Sequence, residues 1–288
     1  MNHIVSLKWL LARLYESDLV IVDCRFQMGK GQENAGREAY EAAHIPGAVY
    51  LDLEKDLSAP VEPDGHGGRH PLPDAAQLTG TFSRAGIGNA SRVVAYDDQG
   101  GAMASRLWWL LKYLGHDQVY VLDQGFTAWR EAGYPVNAEQ QVRIPAPFLA
   151  EVRHSMLAEV DDVRELLGTD KATLIDSREP ARYRGEVEPL DKAAGHIPGA
   201  INRFWKDALN EQGGWRDETA QAARFEGLAK DAPLIVYCGS GVTATPNVLA
   251  LQEAGYTNVR LYAGSWSDWI SYEENLVAVG DEEGQKDE

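Results

Sequence analysis

Residues 234–246 read Leu-Ile-Val-Tyr-Cys-Gly-Ser-Gly-Val-Thr-Ala-Thr-Pro. The uninterrupted apolar run Leu234–Tyr237 has the length and composition of a strand buried on both faces. A glycine-bearing loop follows. Ala244 to Ala254 then has a helical pattern, with Pro246 in its first turn, where a missing N–H costs nothing. Gly255 ends that helix, and Val259–Tyr262 predicts the next strand. The same order stands earlier in the chain as Val93–Tyr96, a helix over Ala102 to Leu114, and Val119–Leu122. Short buried strands separated by helices predict an α/β fold with mainly parallel sheets flanked by helices.

Working outward, these two stretches belong to an internal repeat. Leu19-Val-Ile-Val-Asp-Cys-Arg25 returns as Thr173-Leu-Ile-Asp-Ser-Arg178, and His44-Ile-Pro-Gly-Ala48 returns unchanged as His196-Ile-Pro-Gly-Ala200. Arg92–Tyr96 matches Pro233–Tyr237, Gly115–Val119 matches Gly255–Val259, and Trp129 matches Trp269. Recurrence in one order implies two tandem copies of one domain. We expect an amino-terminal domain over 1–136, a linker over 137–152 carrying Ile144-Pro-Ala-Pro147, a second domain over 153–279 and an acidic tail over 280–288.

The 288 residues suit two domains at roughly 100–200 residues each. With 27 basic against 44 acidic residues the net charge is −17, which disfavours nucleic acid and anionic membrane surfaces as partners. Two cysteines exclude a disulfide framework or a Cys-rich metal site, and a reducing cytoplasm is the expected compartment. No apolar run approaches the roughly 20 residues of a membrane span. The segment Met1 to Leu14 lacks the marks of a cleaved leader. Its Ile4, Leu7, Leu10, Leu11 and Leu14 are spaced as one face of a helix.

Ligands of parallel sheets gather at the carboxyl ends of strands, which is where Cys238 stands. Backbone N–H groups of the loop and the following helix terminus favour negative charge at its sulfur, and the thiolate is the reactive form. Gly239 and Gly241 permit the tight cradle this requires. The plain alternative is a small buried cysteine beside a phosphate-type loop. Cys24 lacks a glycine loop and has Ser177 as its repeat partner, so it reads as packing, with a redox role as the alternative. His44 and His196 occur in both copies and read as structural, as do Arg25 with Asp23 and Arg178 with Asp176. Trp108, Trp109, Trp129 and Trp266 read as core or domain-interface packing rather than a ligand cage. Metal spacings, GxGxxG and P-loop patterns are absent, so no cofactor is expected.

The paired His-Ile-Pro-Gly-Ala turns, Ser105-Arg-Leu-Trp-Trp109, the Cys238–Thr243 loop and Gly264-Ser-Trp-Ser-Asp-Trp269 resemble the rhodanese family. Over about residues 5–278 the chain resembles its tandem thiosulfate/3-mercaptopyruvate sulfurtransferases. The resemblance implies two rhodanese-like domains, with the second catalytic and the first carrying Asp97 where the second has Cys238. It implies that Cys238 becomes a persulfide, with Gly239, Gly241, Val242 and Thr243 lining the substrate cradle. It further implies a relay of Ser240, His70 and Glu54. Arg182 matches the family's substrate arginine; a solvated surface arginine is the alternative, as a surface loop histidine is for His70. No second arginine matches within Glu188-Pro-Leu-Asp-Lys192, where Lys192 could supply charge but not a planar fork.

Neutral Gly239 and Ser240 resemble the mercaptopyruvate enzymes, whereas thiosulfate enzymes carry cations there. The expected partners are a small-molecule sulfur donor and a thiol, thioredoxin-like or cyanide acceptor. Thiosulfate as donor, or a non-catalytic persulfide carrier, are the alternatives. A phosphatase or arsenate reductase is disfavoured because Ala244 stands where a Cys-x5-Arg loop needs arginine.

Overall fold

The computed structural model describes residues 3–29 and 31–281. The expected tail beyond residue 281 and the first two residues of the expected amino-terminal helix lie outside the described residues. The chain forms two compact units. One comprises Met1–Ala59, Pro73–Arg153 and Leu209–Trp215; the other comprises Pro60–Leu72, His154–Ala208 and Arg216–Glu288. Residues 60–72, which precede the rest of their unit by some eighty positions in sequence, therefore fold as part of the second unit.

The first unit is built on β1 (Ile4–Val5), β2 (Leu19–Asp23), β3 (Val49–Tyr50), β4 (Arg92–Tyr96) and β5 (Val119–Leu122), in the order β1-β5-β4-β2-β3. Every pairing is parallel. All residues of β2 are buried, Leu19 to Val22 as an apolar run and Asp23 through its ion pair with Arg25. The two edge strands span only two residues each, which limits the unpaired backbone they expose. The amino-terminal segment departs from expectation. Ile4 and Val5 pair with Val121 and Leu122, and the helix covers only Leu7–Leu11. Ser6 sets its start, with Oγ accepting the Trp9 N–H at 3.2 Å.

The second unit repeats the plan with β6 (Leu157–Ala158), β7 (Thr173–Asp176), β8 (Ile201–Asn202), β9 (Leu234–Tyr237) and β10 (Val259–Tyr262), in the order β6-β10-β9-β7-β8. These strands are again all parallel. The helix after β9 covers Thr245–Glu253, with Ala244 and Ala254 as its caps. Among the described residues no helix is long and apolar enough to cross a membrane.

The residues shared by both copies make the same bonds in each. Tyr96 donates to Asp23 at 2.7 Å and accepts the Ile45 N–H at 3.3 Å, while Tyr237 accepts the Ile197 N–H at 3.1 Å. Arg25 and Arg178 form two-pronged ion pairs with Asp23 and Asp176, and each also donates to the residue preceding its His-Ile-Pro-Gly turn. His44 and His196 place Nδ1 at 2.7 and 2.8 Å from the carbonyls of Tyr40 and Tyr183, on whose rings they stack. Trp129 and Trp269 donate Nε1–H to Pro135 and Leu276, both at 2.8 Å. These side chains close each unit's core, the structural role their symmetry predicts.

Candidate active site

Cys238 follows β9 directly and is buried. Its loop is pinned through the backbone to residues 263–267. The Cys238 N–H donates to Ser265 Oγ at 3.1 Å, and its carbonyl accepts the Trp266 N–H at 3.0 Å. The Gly239 carbonyl accepts the Ser267 N–H at 2.9 Å. Gly241 has φ +74, and a Cβ there would stand 2.0 Å from the Ala263 carbonyl oxygen, so only glycine fits. Ser240 and Val242 are buried and Thr243 half-buried. Ala244 caps the next helix without a side-chain bond, and the Thr245 N–H turns back to the Val242 carbonyl of the loop at 3.1 Å.

The segment 60–72 brings polar side chains to this loop from within the same unit. Asp268 accepts the Gly67 N–H at 2.8 Å, and Ser267 Oγ accepts the Arg69 N–H at 3.1 Å. Thus anchored, His70 is buried and sets Nδ1 at 2.8 Å from Ser240 Oγ. Arg69, beside it in sequence, reaches Asp191 with Nε at 2.8 Å from Oδ1.

Arg182 lies at the end of the short helix Pro180–Tyr183 and is held by acids. Its Nη2 donates to Glu188 at 2.7 Å and to Asp191 at 3.1 Å. Both carboxylates are nearly enclosed, with side-chain exposures of 4% and 3%. A methyl placed on Gly239 would stand 2.9 Å from Arg69 Nη2 and 3.5 Å from both terminal nitrogens of Arg182. The two guanidinium groups therefore flank the residue next to Cys238.

The first unit holds an internal comparison. Asp97 follows β4 as Cys238 follows β9, and it too is buried. Its Oδ1 accepts the N–H groups of Gln99 and Gly101, both at 2.8 Å, and its Oδ2 those of Met103 and Ala104 at 2.8 and 2.9 Å. In this copy the loop is an anion cradle filled by the chain's own carboxylate. The matching junction in the second copy presents a thiol instead.

Cys238, Gly239, Ser240, Gly241, Val242, Thr243, His70 and Arg182 thus all fall in one unit. Glu54 belongs to the first unit, is exposed, and donates its backbone N–H to Asp52 Oδ1 at 2.9 Å. Lys192 is exposed. Cys24 is buried, and its burial, then the carboxylates of Asp23, Asp97 and Asp56, push its thiol well above the usual range. Arg69, Asp191 and Glu188 were not singled out by sequence reasoning as members of the site. For Arg69 a signal existed, since a cation adjacent to His70 must accompany it into the unit.

Comparison with known proteins gives one consistent picture. The Rhodanese-like domain family matches residues 6–132 and again 159–272. Over 283 residues the chain is 44% identical to a Pseudomonas aeruginosa protein named "Probable 3-mercaptopyruvate sulfurtransferase", covering 96% of this chain and 98% of that one. The thiosulfate sulfurtransferase of Rattus norvegicus is 34% identical, covering 93% and 91%. The crystal structure of the 3-mercaptopyruvate sulfotransferase SseA from Escherichia coli superposes with a TM-score of 0.82 at 31% identity, covering 92% of this chain and 99% of that one.

Proposed function

The chain belongs to the rhodanese-like family, and on that premise we propose that it is a sulfurtransferase that takes sulfur from 3-mercaptopyruvate onto Cys238. The relatives named for this activity support the donor, as do the neutral Gly239 and Ser240 that follow the cysteine. In the first half-reaction the Cys238 thiolate attacks the donor's sulfur. A new S–S bond forms, the C–S bond breaks, and its electron pair leaves on the enolate of pyruvate. The donor's sulfhydryl proton ends on the enolate carbon, so the products are a cysteine persulfide anion and pyruvate. In the second half-reaction a thiol or cyanide attacks the outer sulfur and returns the Cys238 thiolate.

The single observation that carries the choice of donor is the 2.8 Å contact of His70 with Ser240. Mercaptopyruvate needs a proton moved from sulfur to carbon, and a buried serine–histidine pair beside the cysteine is suited to move it. Thiosulfate releases sulfite without any proton transfer. Arg182 is suited to the donor's carboxylate as a planar fork. Glu54 is the family's third relay member by position, and its part stays a proposal tied to docking of the two units. No resident cofactor is needed, since the cysteine carries the group. The acceptors that suit an enclosed persulfide are small thiols, a thioredoxin-like protein or cyanide. A reducing cytoplasm fits a mechanism that needs a free thiol.

The test is a side-by-side assay with cyanide as acceptor, following thiocyanate from each donor. We expect kcat/KM to favour mercaptopyruvate by more than about tenfold, roughly 1.4 kcal/mol of transition-state preference. Equal or better turnover of thiosulfate would overturn the donor assignment, and release of only one equivalent of pyruvate would make the protein a carrier.

A further inference from the structure

A donor with a carboxylate and a ketone offers more acceptor oxygens than one guanidinium covers, and the cradle above Gly239 holds two. Arg69 Nη2 and both terminal nitrogens of Arg182 converge there, at 2.9 and 3.5 Å from the point where a Gly239 methyl would sit. Two cations this close require a counter-charge between them, and Asp191 provides it. Its Oδ1 accepts from Arg69 Nε at 2.8 Å, while its Oδ2 accepts from Arg69 Nη2 at 3.3 Å and from Arg182 Nη2 at 3.1 Å. Glu188 fixes the rest of Arg182, accepting from Nε at 3.1 Å and from Nη2 at 2.7 and 2.9 Å.

We infer that Arg69 is the second carboxylate-binding cation of the donor site, and that Asp191 is the positioning residue that aims Arg69 and Arg182 together. The inference rests on the sulfurtransferase reading and adds the origin of its specificity. The missing arginine of the Glu188–Lys192 loop is replaced by one from the segment that also delivers His70. Asp191, within that loop, holds Arg69 in place. Two arginines and two carboxylates sum to zero formal charge, so the cluster accepts a keto acid carrying one negative charge at less electrostatic cost than a dianion.

The test uses the full chain and two readouts: isothermal titration with pyruvate, and steady-state turnover of both donors with cyanide as acceptor. For Arg69→Gln we expect pyruvate Kd and mercaptopyruvate KM to rise about tenfold, the effect of losing one charge-assisted contact, with kcat within about threefold. Arg69→Lys, which keeps charge without the fork, falls between. For Asp191→Asn we expect the ratio of kcat/KM values to move about tenfold towards thiosulfate, and Asp191→Glu to restore part of it. A merely structural Asp191 would lower both donors alike. Arg69→Gln binding pyruvate within about twofold of the unaltered protein, with thermal unfolding unchanged, overturns the inference. An unaltered protein that turns over neither donor overturns the functional reading instead, and the pyruvate titration still decides Arg69.

Discussion

His70 Nδ1 lies 2.8 Å from Ser240 Oγ although the two residues are 170 positions apart in the chain. Both are buried, and the loops that carry them are anchored to one segment, residues 265–268, His70 through Gly67 and Arg69 and Ser240 through Cys238 and Gly239. A pair so constrained is prepared to pass a proton, and the two donors differ in needing one. His70→Asn is therefore expected to lower kcat for mercaptopyruvate by about a hundredfold, the lower end of what a general acid–base group supplies. Turnover of thiosulfate should change by less than about threefold, because sulfite leaves unprotonated. Steady-state kinetics with both donors check this, and an equal loss with both would make the pair structural.

The two cysteines make a contrast testable in one experiment. Cys238 ends β9 in the glycine loop, whereas Cys24 is enclosed among carboxylates that, after burial itself, hold its thiol well above the usual range. Cys238→Ser should abolish turnover. Cys24→Ser should retain it within about twofold, since the buried thiol serves as packing. Mass spectrometry of the protein after exposure to donor alone should find one added sulfur atom on the peptide containing Cys238 and none on that containing Cys24.

Asp97 is expected to be a stability residue of the first unit. Its carboxylate accepts four backbone N–H groups in a site closed to water. Asp97→Ala strands those donors, and at about 1–3 kcal/mol for each buried unpaired group the local loss should be about 3 kcal/mol or more. Hydrogen exchange checks it: protection should fall at Gly101, Met103 and Ala104 in the variant, with the amides of β9 unaffected.

Much of this architecture was legible because a duplicated sequence is its own control. Strands β5 and β9 fall where unbroken apolar runs predict them, β10 falls where its place after the Gly255 stop predicts it, and shared residues such as His44 with His196 proved to be shared bonds. The amino-terminal strand was hidden because Ile4, Leu7, Leu10 and Leu11 satisfy helical spacing; pairing with β5 is a tertiary choice that periodicity does not carry. The unit boundaries were hidden for a similar reason. Residues 60–72 and 209–215 each fold with the unit from which they are remote in sequence. The site was half legible. Residue types and glycine positions marked Cys238, and the family resemblance pointed to Ser240, but the ion pairs of Arg69 and Arg182 with Asp191 depend on the docking of two loops.

His116 provides a pH dependence with a definite sign. It is buried against Phe148, with ring centroids 6.0 Å apart, and burial lowers its pKa below the usual histidine value. Folded protein thus holds His116 neutral at a pH where the unfolded chain already binds a proton. A histidine with a depressed folded-state pKa contributes stability that is present above its unfolded value, about 6.5, and that is lost as pH falls towards the folded value. The first unit should therefore lose stability between about pH 7 and pH 5 in a way that His116→Leu does not, because leucine has no proton to gain. Urea unfolding followed by hydrogen exchange in the helix Ala102–Tyr113, which precedes His116, measures the slope. A His116→Leu variant with the same acid slope as the unaltered chain would assign the loss to other groups.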